Sequence, residues 1–151
     1  MQSTFKIPQS VLVVIYTHEL YALILQRIDM QTWQSVTGSK NFLDENYQHT
    51  AVREVFEETG LNEKQKGFRL DDWYLENIYD IYPHYLHRYE PGVYQNAEHV
   101  FGLQIAYQAP IILSPTEHTH YQWLPYQEAA QAVSSASNAE ALLMLPRMIS
   151  K

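Results

Sequence analysis

The chain has 151 residues, 46% hydrophobic and 18% charged, with a formal net charge of −7; this suits one domain spanning residues 1–151. An acidic chain repels phosphates, which disfavours a nucleic acid polymer as partner; a phosphate ligand would need a bound cation to reverse the sign locally. With no cysteine, the chain excludes disulfides, thiolate zinc sites and a cysteine nucleophile; it has no apolar run of about 18 residues to span a membrane, and "MQSTFKIPQS", with one Lys and no apolar stretch, does not read as a signal peptide.

Ser10–Thr17, "SVLVVIYT", is rich in β-branched residues and reads as a buried strand. A turn at His18 and Glu19 leads to a second strand over Leu20–Arg27, hairpin-paired with the first. "TWQSVTG" (Thr32–Gly38) is a short third strand, and "SKNFLDEN" is a polar loop. Asn46–Glu58 lacks Gly and Pro and predicts a helix stopped by Gly60. "DDWYLENIYDIY", "EHVFGLQIAY" and "YQWL" are further strands, with "HYLHRYEPGV" between the first two. "PYQEAAQAV" and "SNAEALLMLPRMI" predict two C-terminal helices, the last with Ser137 or Asn138 as N-cap. This order predicts an α+β or α/β sandwich around a mixed sheet, rather than a regular βαβ repeat.

The helix carries the chemistry. At about 100° per residue, Glu54, Glu57 and Glu58 share one face, and Ala51, Val52 and Val55 fall about 60–160° away. Two such charges ~5 Å apart, at an effective dielectric of ~20, repel by about 3 kcal/mol. A solvated acidic face is the plain reading of such a run. Two features count against it: the acids adjoin the apolar face, and no Lys or Arg follows them at i+4 to balance them. Clustered carboxylates without basic partners suit a hard divalent cation.

The same residues resemble the Nudix box: Gly, five residues, Glu, seven residues, Arg-Glu, an aliphatic, any residue, Glu-Glu, any residue, Gly, an aliphatic. From Glu45 through Arg53-Glu54-Val55-Phe56-Glu57-Glu58-Thr59-Gly60-Leu61 every position fits. Upstream, six residues rather than five separate Gly38 from Glu45, an insertion of one residue in a loop. The resemblance implies a Nudix fold and hydrolysis of a diphosphate linked to another moiety, with Mg²⁺ or Mn²⁺ as cofactor. It makes Glu54 and Glu58 the leading metal ligands, with Glu57 in or near the shell. Arg53 orients the glutamates; on its own it reads as a surface ion pair of little energy. Glu45 supports the loop–helix junction, and Gly38 allows close backbone approach.

Outside the box, "FKIPQSVLVVIY", "LQR", "WQSVTGS", "HRYEPGV", "TEHTHYQWL" and "SASN" resemble the branch of the family that acts on dihydroneopterin triphosphate in folate biosynthesis. That resemblance implies Glu117, otherwise a loop acid, as a further metal ligand and the leading general base. It places Lys6, Arg27 and Thr37 near the triphosphate or pterin, and Tyr79, Asp80, Ile81, Tyr82 and Ser135 in segments that contact the pterin. On the residues alone, Lys6 and Arg27 are equally well exposed surface cations, and strand tyrosines are more often packing. Arg88 reads either as a structural ion-pair residue or as a phosphate ligand. "EHTH" also invites a zinc site through His118 and His120, but zinc needs three or four protein ligands; polar surface histidines are the expectation. The implied protein is a cytoplasmic enzyme, monomer or small homo-oligomer, with a small-molecule triphosphate substrate and no membrane partner. The alternatives are a house-cleaning (d)NTP pyrophosphohydrolase and, from another class, a non-catalytic nucleotide-binding regulator.

Overall fold

A computed structural model describes residues 5–149. Gln9–Thr17 forms β1 and Tyr21–Arg27 forms β2. Leu20 has a left-handed φ of 66°, and its N–H donates to Thr17 O at 2.9 Å. Leu20 therefore belongs to the turn, and β2 starts one residue later than its apolar run suggests.

The stretch expected as one strand over Thr32–Gly38 is two. Trp33–Gln34 (β3) pairs with β2, whereas Val36–Ser39 (β4) pairs with β1. The break falls at buried Ser35, whose backbone cannot join either ladder while the two partners diverge. Its polar groups are satisfied from far along the chain: Ser35 N–H donates to Asn138 Oδ1 at 2.8 Å, and Asn138 Nδ2 donates to Ser35 Oγ at 2.9 Å.

β1 lies at the centre of the sheet. Gln95–Ile105 (β6) runs parallel to it along its whole length, and Arg69–Asp80 (β5) pairs antiparallel with β6. His118–Pro125 (β7) extends the other side by pairing with β2. Helix α1 (Tyr47–Thr59) covers one face. The other face carries α2 (Tyr126–Ala132), α3 (Ala136–Leu143) and α4 (Leu145–Met148). The apolar run of β1 follows from this two-sided cover. Val11, Val13 and Ile15 pack with Ala51 and Val55 of α1. Leu12, Val14 and Tyr16 pack with Ala129, Leu142 and Leu145. The result is the expected α+β architecture, a mixed sheet between helices.

The cap of α1 is Asn46, whose side chain accepts from His49 N–H at 2.7 Å; it precedes the helix rather than starting it. Gly60 closes the helix at φ 76°, donating its N–H to Phe56 O. The C-terminal helix expected as one piece is divided at Met144, two residues before Pro146, which has no N–H to continue the ladder. Its N-cap is Ser135, which accepts from Asn138 N–H at 3.0 Å, not Ser137 or Asn138.

Candidate active site

The acidic face of α1 divides into parts with different surroundings. Glu54 and Glu58 are buried at 8% and 2% exposure. Glu57 stays half in solvent, with one oxygen 3.5 Å from Arg53 Nη1. The three acids share a helix face, but the sheet edge and the following loop cover only two of them.

Arg53 is the hub of one part. Its guanidinium donates to both oxygens of Glu45, at 3.1 and 3.2 Å, to Glu54 Oε1 at 2.8 Å and to Ser39 O at 2.9 Å. This is a largely buried fork, not the surface ion pair that the residue taken alone suggests. Glu45 also accepts from Asn41 N–H at 2.8 Å and Thr50 Oγ1 at 2.9 Å, and His49 Nδ1 lies 2.6 Å away. Burial pushes the Glu45 carboxyl up, but Arg53, Asn41, His49 and Thr50 outweigh it and hold it at about 2. In the longer loop between them Phe42 and Leu43 project into solvent, while Gly38 and Glu45 both contact the helix. At Gly38 the Glu54 carboxylate packs so close to the backbone that a Cβ would overlap it. The small residue before the helix is thereby explained by contact with an acid.

Glu58 is the centre of the other part. Neither of its carboxylate oxygens has a hydrogen-bond partner. Burial first, then Glu54 and Glu117 beside it, push its carboxyl well above the usual range. Burial also raises Glu54, which Arg53 partly offsets. His118 Nε2 lies 3.7 Å from Glu58 Oε1, and its Nδ1 is buried without a partner. Burial, then Arg27, lowers its pKa to about 4, so at neutral pH it is an uncharged imidazole and not a counter-ion. Glu117 reaches the same place from the turn before β7, where its N–H donates to Ser114 O and its carbonyl accepts from Ile28 N–H. Ligand atoms of Glu58, Glu117 and His118 lie within 4.8 Å of one another. Two ligands across one ion, at ~2.1 Å each, are about 4 Å apart. The two buried, unpartnered oxygens of Glu58, the exposed carboxylate of Glu117 and an uncharged imidazole, with Gln34 Nε2 3.5 Å from its Nε2, form a donor set that fits a divalent cation.

His118 corrects the expectation of surface histidines. The ladder between β2 and β7 slips between Gln26 and Arg27, so His118 turns inward and is 4% exposed, while His120 is exposed. Strand alternation cannot foresee a bulge, and the two histidines do not share an environment.

Beside this cluster a cleft of about 820 Å³ opens across the sheet under α3. It meets the acids at Gly38, which lines it. Lys6, Arg27, Thr37, Tyr79, Asp80, Ile81, Tyr82 and Ser135 all line the same cleft. Several are already engaged. Arg27 is held bidentately by Asp29, with both bonds 2.8 Å, and its guanidinium carbon lies 5.8 Å from the Tyr85 ring centroid. The Arg88 guanidinium carbon also lies over that ring, 4.5 Å from its centroid. Lys6 keeps an exposed side chain, and its pKa is lowered by desolvation, then by Arg88 and Arg27. Tyr79 Oη accepts from Asn96 Nδ2 at 3.0 Å, and Tyr82 stacks on His84. Glu98 and Asn96 also line the cleft and were not singled out from the sequence. Their signal was there: in "NAEHVF" both share the parity of buried Val100, a polar pair on a core-facing stripe.

The chain belongs to the Nudix family: the NUDIX domain model matches residues 6–144. It is a Nudix pyrophosphohydrolase with an α+β Nudix fold, in a family that typically uses a divalent metal. Among curated proteins it is similar to the dihydroneopterin triphosphate diphosphatase of Escherichia coli (strain K12). The two are 36% identical over 140 residues, 91% of each chain. The Haemophilus influenzae protein of the same description is 36% identical over 91% of this chain and 87% of its own. Among solved structures, the E. coli dihydroneopterin triphosphate pyrophosphohydrolase superposes with a TM-score of 0.85 at 38% identity, covering 93% of this chain and 95% of the other. A Listeria monocytogenes NUDIX hydrolase gives 0.73 at 25% identity, over 93% of both chains. No helix among the described residues is long and apolar enough to cross a membrane.

Proposed function

We propose that this chain hydrolyses 7,8-dihydroneopterin triphosphate to the monophosphate and pyrophosphate, in the cytoplasm, with Mg²⁺ or Mn²⁺ as cofactor. The observation that carries this reading is one juxtaposition. Glu58, buried with neither oxygen hydrogen-bonded, shares a helix face with Glu54, whose carboxylate packs against Gly38 at the edge of a cleft walled by cations and aromatic rings. The substrate is that of the curated relatives, which match most of this chain.

In this reading Glu54, Glu58 and Glu117 hold the cation, with Glu57 at the exposed margin. Bound there, the cation would neutralise phosphate charge and acidify an attacking water. The chain supplies the rest. Arg53 fixes the Glu54 carboxylate against Gly38, so the acid is positioned before substrate arrives. Glu117, the exposed member of the cluster, takes the proton from water as its oxygen joins phosphorus. The anhydride bond between the first and second phosphorus atoms breaks; the water oxygen stays on the phosphorus it joins, and the other fragment leaves with the bridging oxygen and the electron pair. Lys6, Arg27 and Arg88 bind the phosphates from the cleft side. Thr37 and Ser135 offer hydroxyls. Tyr79 and Tyr82, with Asp80 and Ile81 between them, form the wall for the flat ring.

The test is kcat/KM on dihydroneopterin triphosphate against dATP. A preference for dATP above tenfold would favour a house-cleaning (d)NTP role and sink the pterin reading. Ligand binding without any turnover would show a regulator instead.

A further inference from the structure

The cleft wall beneath α3 holds a buried acid that the reaction above does not use. Glu98, on β6, is 5% exposed and lines the cleft. Strand register sets its distance from the phosphate end. Ser10 of β1 pairs with Ser39 of β4 on one side and with Glu98 on the other. Glu98 therefore lies two strand spacings from the Gly38–Ser39 edge, ~10 Å, a span that a triphosphate and its linker can bridge.

The surroundings of Glu98 are neutral and sparse. Ser137 Oγ donates to Oε1 at 3.0 Å, and Asn77 pairs across the strand. No Lys, Arg or His forms an ion pair with it among the described residues. Burial raises its pKa, and Ser137 and Asn77 offset this only in part. Asn96, two residues earlier on the same face, spends its Nδ2 on Ser10 Oγ and Tyr79 Oη, which leaves Oδ1 buried without a partner. A carboxylate accepts about four hydrogen bonds. Glu98 thus holds Ser137 and Asn77 and keeps further lone pairs, while Asn96 Oδ1 beside it is an orphaned acceptor, so this wall can take a ligand that brings donors.

We propose that Glu98 anchors the heterocycle by accepting the two adjacent N–H groups of a 2-amino-4-oxo-pyrimidine edge, the edge of a pterin. The inference rests on the reading of the chain as a pyrophosphohydrolase of such a triphosphate. An adenine ring has no such pair of adjacent donors, so its binding draws nothing from this contact. Sites built on buried hydrogen bonds reject the ligand lacking the matching group far more strongly than apolar pockets do.

The experiment compares wild type with Glu98→Gln and Glu98→Asp, using dihydroneopterin triphosphate and dATP with Mg²⁺, and neopterin, which has no phosphate, in a fluorescence titration. Gln replaces one acceptor with a donor, so one N–H faces another N–H. Expected are a loss of about 10- to 100-fold in kcat/KM on the pterin triphosphate, a similar weakening of neopterin binding, and less than threefold change on dATP. Asp keeps both acceptors but withdraws them, giving the same bias in smaller degree; it carries the test if the Gln variant does not fold. Equal losses on both triphosphates, or none, with unchanged neopterin binding, would show that Glu98 only ties β6 to α3 and would overturn the proposal. Ring binding reads Glu98 without turnover. Neopterin weakened by the variant while wild type fails to hydrolyse the triphosphate would therefore leave Glu98 standing and remove the proposed reaction. The reverse result would do the opposite.

Discussion

Glu45 and Glu58 are both acids of one sequence motif, and both are buried, at 7% and 2% exposure. Their conditions are opposite. Every oxygen of Glu45 is met, by Arg53, Asn41, Thr50 and His49, and its carboxyl is held at about 2. Neither oxygen of Glu58 is met, and its carboxyl is pushed well above the usual range. A buried charge is stable where donors surround it and costly where they do not. Glu45 thus has the surroundings of an acid that holds the loop to the helix. Glu58 has those of an acid kept ready for something the protein alone does not supply.

The sharpest way to break this contrast is Glu58→Gln. It removes the charge and leaves the shape, so catalysis is expected to fall by about 10³-fold or more. Without metal, the thermal midpoint relative to wild type is expected to rise, and to rise further as pH increases, because a carboxyl whose charged form lacks donors has gone. A variant that loses stability instead would show that Glu58 is satisfied after all.

Gly38→Ala tests the neighbouring acid through the backbone. The added methyl overlaps the Glu54 carboxylate, and a displacement of this kind is expected to cost about 10- to 100-fold in kcat/KM. Mn²⁺ affinity, followed by electron paramagnetic resonance, should fall with it. Unchanged Mn²⁺ binding would place Glu54 outside the metal shell.

Glu45→Gln attacks the satisfied member. Its folded pKa is depressed from 4.5 to about 2, so its contribution is present above about pH 4.5 and lost as pH falls toward 2. The shift corresponds to about 3 kcal/mol at neutral pH. Urea unfolding at pH 7 should show that loss, and the acid limb of stability against pH should flatten. An acid limb identical to wild type would mean that Glu45 is not the group being titrated. The smallest effect is expected from His49→Ala. The His49 side chain is 65% exposed, so removing this one partner of Glu45 should change stability by less than about 0.5 kcal/mol.

The two sites differ in how far they can be read along the chain. The Glu45–Arg53–Glu54–Glu58 group lies within fourteen residues on one loop and helix, where helical periodicity places each side chain. That is why the acidic face and its adjacency to the apolar face were legible. Periodicity did not show which acid of the three would be covered, since Glu57 and Glu58 differ only in what the sheet and the turn before β7 lay over them. Nor did it show His118, whose inward turn depends on a ladder slip against β2. The cleft residues Glu98 and Asn96 carried only a weak local signal. Their function depends on β1, β5 and α3 meeting around them.

Local chemistry along the chain sufficed for the strand and helix types, the stop at Gly60, the apolar run of β1 and the clustering of acids on α1. These follow from backbone propensity and from spacing within a few residues. Tertiary structure alone decided the break at Ser35, clipped by Asn138 at 103 residues' separation, the approach of Glu117 and His118 to Glu58, and the split between Glu45 with donors and Glu58 without. The physical reason is that charge and hydrogen bonding act through space. A carboxylate becomes a structural pin or an open site according to the donors folding brings within about 3 Å.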